Sequence, residues 1–101
     1  MNKETLTKPE MTVSQIGEHF KILKVKGIKG MEMPSHISTR EAVIIVIKGE
    51  AVLKLPNKEI NLKANESTII PAKEPHTLTI NEDFQANVIM EIESEIKFVT
   101  K

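Results

Sequence analysis

In the stretch MPSHISTREA, Met33 to Ala42, one histidine stands two residues ahead of a serine and a few residues ahead of a glutamate. A second histidine, His76, opens the alternating run HTLTIN just after a proline. Imidazole is a common metal ligand and a hydrogen-bonding group that titrates near neutral pH. A convergent pair therefore suits either a divalent transition metal or the orientation of a small organic ligand. On an extended strand His36 and Ser38 share a face, and so do His76, Leu78 and Ile80. The bland alternative is that both histidines are pocket polar groups, bonded to each other, to Ser38 or to water. Arg40 is the sole arginine of the chain. Its guanidinium is suited to clamping a carboxylate, although a single exposed arginine ordinarily has no such task. His19 lies in a run with no motif around it and reads as a surface or edge residue.

The elements that position these groups repeat with a period of two. HFKILKV (19–25), EAVLKL (50–55), KEINLK (58–63), HTLTIN (76–81) and EIKFVT (95–100) all alternate apolar with polar, the pattern of half-buried strands. Turn residues punctuate them at Gly27, Gly30, Lys48-Gly49, Pro56-Asn57, Ala64-Asn65, Lys73-Glu74-Pro75 and Asn81-Glu82-Asp83. Many short antiparallel strands in 101 residues predict one all-β domain, a sandwich or barrel. A short helix is allowed around Thr12 to Gly17. The polar residues 1–10 read as a flexible or docking arm, and the division expected is an N-terminal arm over 1–18 and a barrel over 19–101.

One strand departs from alternation. AVIIVI, Ala42 to Ile47, is apolar on both faces, so both faces must be covered. A homodimer supplies the cover, or the Val13 to Val25 segment packs there within the chain. Exchange of that segment between subunits would do both.

Composition excludes several classes. Fourteen basic and fourteen acidic residues cancel, with a pI near 6.8, so no net field draws the chain to nucleic acid or to an anionic membrane. With three phenylalanines and no tyrosine or tryptophan, stacking platforms for bases are lacking too. The absence of cysteine removes disulfides, thiolate zinc sites and a cysteine nucleophile. No apolar run approaches the roughly 18 residues of a membrane helix. No signal-peptide pattern opens the chain, and the expected location is cytoplasmic. Phosphate loops, nucleophile elbows and zinc-protease helices have no match either.

From Gly30 the chain reads glycine, five residues, His36, one residue, Ser38, then a strand to Gly49; after a hairpin comes Asn65, five residues, Pro71, four residues, His76. This resembles the two motifs of the cupin superfamily over roughly residues 28 to 92. The segment IIPAKEPHTLTIN has the family's proline-to-histidine spacing, and VIKGEAVLKL its glycine-centred hairpin. The resemblance implies a small antiparallel jelly-roll barrel, in agreement with the strand pattern.

The family's metal ligands are two histidines and a glutamate in the first motif and a histidine in the second. By position these fall on His36, Ser38, Ala42 and His76. Alanine offers no donor and a serine hydroxyl is a poor ligand at neutral pH, so only two of the four positions keep an imidazole or carboxylate. Glu41 lies one residue before the family's glutamate. A local slip of parity would bring it in as a third ligand and give the two-histidine, one-carboxylate set of non-haem iron oxygenases, whereas regular pairing puts it on the outer face.

Two readings follow. In the first, the barrel binds a small molecule in an interior lined by Ile44, Val46, Leu78 and Met90 and oriented by His36, Ser38 and His76, with Arg40 near the mouth. Met31 and Met33 belong to the same adaptable lining or to core filler. In the second, the chain is a metal-dependent cupin enzyme, a dioxygenase or isomerase by family analogy, whose shell Glu41 or Glu32 completes.

Overall fold

A computed structural model describes residues 8–99. Eight strands follow one another: β1 (Glu10–Ile16), β2 (Phe20–Gly27), β3 (Glu32–Ser38), β4 (Ala42–Leu55), β5 (Lys58–Lys63), β6 (Ser67–Ile70), β7 (His76–Glu91) and β8 (Ile96–Phe98). Every pairing is antiparallel. The expected all-β barrel is present, and its sheet curls into two facing halves. One half runs β1, β2, the second part of β7, the first part of β4, then β6. The other runs β5, the second part of β4, the first part of β7, β3, then β8.

β4 and β7 belong to both halves. Lys48-Gly49 and Asn81-Glu82-Asp83, expected as chain-reversing turns, are instead bends inside two continuous strands. The physical reason is a cluster of register irregularities from Val46 to Ala51 against β7, since bulges bend a strand and raise its twist without ending its pairing. They also switch parity. Ala42, Ile44 and Val46 are buried before the bend and Ala51, Leu53 and Leu55 after it, so β4 keeps an apolar face inward along its whole length. Gly49 is required at this corner: its φ is 87°, and a Cβ there would lie 2.0 Å from the Asp83 carbonyl oxygen. The Pro56-Asn57 turn does reverse the chain, with Leu55 paired to Lys58 across it.

The core fills the space between the halves, with Val46, Ala51, Leu53, Ile80 and Ala86 almost wholly buried. The short helix allowed at Thr12 to Gly17 is strand instead. Residues 10–16 pair with β2, with a bulge between Val13 and Gln15, because the open edge of β2 offers a full row of backbone partners and a single helical turn offers none. Part of the stretch expected as an arm is thus an edge strand; residues 1–7 lie outside the described residues. Val13 to Val25 extends the sheet sideways rather than covering the outer face of AVIIVI. On that face Val43 and Ile45 are half-buried and Ile47 is exposed.

Candidate functional site

Both histidines sit where β3 meets the start of β7, as direct cross-strand partners in the register. Alternation on β3 turns Met33, His36 and Ser38 inward, a bulge between Met33 and His36 correcting the parity. On β7 it turns His76, Leu78 and Ile80 inward. The imidazole centroids are 4.2 Å apart with the planes at 63°, so the rings meet edge to face. On its other side His36 faces Phe98 of β8 at 5.4 Å, and the Lys8 ammonium lies 4.8 Å from the centre of the Phe98 ring.

The rings are not hydrogen-bonded to each other. His36 Nδ1 lies 2.7 Å from the Pro34 carbonyl oxygen and His76 Nδ1 lies 2.9 Å from that of Glu74. A carbonyl only accepts, so in each neutral ring Nδ1 carries the proton and Nε2 keeps its lone pair. No described residue bonds either Nε2. Burial pushes both imidazoles below their ordinary value of 6.5; the carbonyl hydrogen bonds oppose the shift, and the nearby His76 adds to it for His36. Both rings are therefore neutral at pH 7. Ser38, 3% exposed, has a buried hydroxyl with no hydrogen-bond partner among the described residues.

These three polar groups open onto a cavity of about 40 Å³ that Ile44, Leu78 and Met90 also line. A buried water needs about 10–15 Å³ by the same measure, and an engineered cavity of about 150 Å³ holds benzene. The space as it stands suits a few non-hydrogen atoms. Met11 of β1, Met33 of β3 and Ile96 of β8 also line it, with the core side chains Val25, Ala42, Leu53, Ile70 and Val88. Sequence reasoning missed these five core residues as lining, and it missed Met11 and Ile96. The alternation of Met11 with Val13 was the available signal for Met11, obscured by the helical reading of that segment.

Other expected site residues fall elsewhere. Val46 is fully buried but lies nearer the β4 bend, outside the cavity wall. Arg40 is on the surface, where its guanidinium pairs with Glu91 and Glu93. Its backbone NH donates to Ser94 Oγ, Thr39 NH donates to the Glu95 carbonyl, and Glu95 NH donates to Thr39 Oγ1, so the 39–40 turn is clipped to the segment after β7. Glu41 and Glu32 are exposed. The parity slip that would bring Glu41 inward does not occur, because Ala42, Ile44 and Val46 already occupy the inner face. Among the described residues no three His, Cys, Asp or Glu side chains are grouped to hold a metal.

A cupin domain family matches residues 27–92, and the chain belongs to the cupin family. No curated protein matches it in sequence. Solved structures resemble it in fold. A cupin superfamily protein from Desulfitobacterium hafniense DCB-2 is 16% identical with a TM-score of 0.76, covering 85% of this chain and 79% of its own. An uncharacterized conserved protein with a double-stranded β-helix domain from Klebsiella pneumoniae is 20% identical with a TM-score of 0.80, covering 93% and 86%. The DMSP lyase DddQ from Ruegeria pomeroyi DSS-3 is 16% identical with a TM-score of 0.82, covering 98% of this chain and 55% of its own. Such identities establish the double-stranded β-helix architecture alone. Among the described residues no helix is long and apolar enough to cross a membrane.

Proposed function

We propose that this cupin barrel is a binding module for a small, uncharged organic ligand, held in the cavity and oriented by His36, Ser38 and His76. The observation that carries this reading is the unpartnered Ser38 hydroxyl beside two neutral imidazoles whose Nε2 atoms are free. Buried polar groups ordinarily find partners, and a ligand bearing both a donor and an acceptor would satisfy this set. The apolar remainder of the wall and the cavity's size favour a compact molecule, or the small end of a longer one that leaves through the rim at Met11 and Ile96. Titration of the protein with small alcohols and primary amides, followed by NMR at the imidazole side chains, tests the reading. Binding that His76→Ala and Ser38→Ala weaken supports it; no perturbation of either ring by any of these probes overturns it.

A second reading rests on the same two Nε2 atoms, which are available to a divalent transition metal. The donor set does not fit a full centre, because Ser38 and Ala42 occupy two of the family's ligand positions and the exposed Glu41 and Glu32 supply no carboxylate. A weak two-histidine site completed by solvent is the metal chemistry these residues support, and a dioxygenase or isomerase would need a further donor. Elemental analysis of untagged protein before and after dialysis against a mild chelator tests this. A stoichiometric metal that survives would move the reading toward an enzyme. Lyase activity is not carried over from DddQ, whose likeness is one of fold. We also propose a homodimer located in the cytoplasm, without nucleic-acid or membrane partners. The balanced charge and lack of cysteine support the location and the excluded partners, and the apolar outer face of β4 supports the dimer.

A further inference from the structure

The outer face of the β1, β2, β7, β4 and β6 half carries an apolar row that no described strand covers. Register aligns Ile69 with Val43, Val43 with Ile89, and Ile89 with Ile22, across four adjacent strands. Ile45 adjoins the row, and Phe20 lies one position outward on β2. Val43, Ile89 and Ile22 are half-buried by their lateral neighbours, whereas Ile69 and Phe20 are 56% and 57% exposed. An antiparallel sheet with one face in solvent presents polar residues there. A β-branched row through its centre marks a contact surface.

Charges flank the row unequally along the strand direction. Beyond it, toward the end of β7, lie Glu91 and Glu41, with Glu93 beside them and Arg40 held between Glu91 and Glu93. On the other side, toward the bend, lie Lys24, Lys26 and Lys48, opposed by Glu10, which is paired in register with Lys26, and by Asp83, which borders the same surface hollow as Lys26 and Lys48. One end of the face is thus acidic, and at the other the lysines outnumber the carboxylates.

We propose that this face is where a second copy of the chain docks, with the two-fold axis lying in the interface and running across the strands, parallel to the Ile22–Ile89–Val43–Ile69 row. The proposal rests on the homodimer reading above and assigns its surface and symmetry. Rotation about that axis lays each apolar row on its twin and reverses the strand direction, so the Glu91 end of one copy meets the Lys24 end of the other. An axis along the strands would set acid on acid and base on base. Two twisted sheets pack aligned within about 30° of each other, which preserves this apposition. Self-complementary charge is what commits the face to a copy of the same chain rather than to a different protein.

The test is the mass of the full chain by light scattering at micromolar concentration, with the fold of each variant checked by circular dichroism. The wild type is expected at twice the 11.4 kDa chain mass. Ile69→Glu alters an exposed edge position and is expected to raise the dissociation constant at least about tenfold, since it buries a charge in an apolar contact. Lys24→Glu is expected to weaken the dimer, and Lys24→Glu combined with Glu91→Lys to restore it. A monomeric wild type overturns both the dimer and its surface. A dimeric wild type whose mass none of these substitutions changes leaves the dimer standing and overturns this surface alone. Dissociation by Lys24→Glu without rescue by Glu91→Lys overturns the proposed axis.

Discussion

His36 and His76 are cross-strand partners whose rings meet edge to face at 4.2 Å, yet each spends its only ring proton on a backbone carbonyl two residues earlier in its own chain segment. Each carbonyl fixes a tautomer, and together they leave two lone pairs on neighbouring Nε2 atoms. The site is thus rich in acceptors, with the Ser38 hydroxyl as its adjacent donor. That balance decides what it can hold.

Stability should fall with acid over the range in which these histidines would charge. Both folded-state values lie below 6.5, the direction set first by burial. As the pH drops through 6.5 the unfolded chain takes up protons that the folded chain refuses, so the stability difference is fully present above that value and declines below it. Urea midpoints measured from about pH 7.5 to 5.5 are expected to decrease, and His36→Asn with His76→Asn to flatten that slope. An equal slope in the double variant would place the linkage elsewhere.

Ser38→Ala separates stability from binding. A buried hydroxyl without a partner carries an uncompensated desolvation cost of about 1–3 kcal/mol, so its removal from the empty protein is expected to raise unfolding stability by about 1 kcal/mol. The same substitution should weaken any ligand that bonds Ser38. Denaturant melts of the free protein read the first effect, and NMR titration with small amides reads the second.

Restoring a third imidazole should create a better metal site. Ser38→His places a ring on the inward face of β3 beside His36 and His76. Loss of even an outer-shell partner costs metal affinity about 10–100-fold, so a new direct ligand should strengthen zinc or nickel binding by at least about tenfold. Binding should weaken as the pH falls below 6.5, when protons compete, and vanish in His36→Ala or His76→Ala. Calorimetric titration with the metal alone checks all three. Unchanged affinity in Ser38→His would mean that its side chain does not reach the pair.

The jelly roll was legible because a period of two survives along nearly every strand, and because His36, Pro71 and His76 fall at motif spacings. The bends were not. Lys48-Gly49 and Asn81-Glu82-Asp83 have the residue types of turns, and whether such residues reverse a chain or bend it depends on what pairs alongside. Here β4 and β7 pair with each other through the corner, a long-range fact that no local window contains. The histidines and Ser38 were placed correctly inside, since parity on a strand is decided by its apolar neighbours. Arg40 was harder to place, as its partners Glu91 and Glu93 lie some fifty residues away. Met11 was concealed by a segment too short for periodicity to separate strand from helix.

Gly49 is the residue on which the long strands most depend. Any side chain there meets two penalties: a left-handed φ of 87°, and a Cβ driven against the Asp83 carbonyl. The backbone of β7 cannot yield, because it is paired on both sides of the corner, with β4 on one edge and with β2 or β3 on the other. Gly49→Ala is therefore expected to cost on the order of 3 kcal/mol or more. Gly30→Ala is the control, since φ is also positive, at 98°, but nothing lies within 4 Å of the added carbon. It should cost about 1 kcal/mol from backbone strain alone. Paired denaturant melts separate the two contributions, and equal losses would show that conformation rather than the close approach to Asp83 fixes the corner.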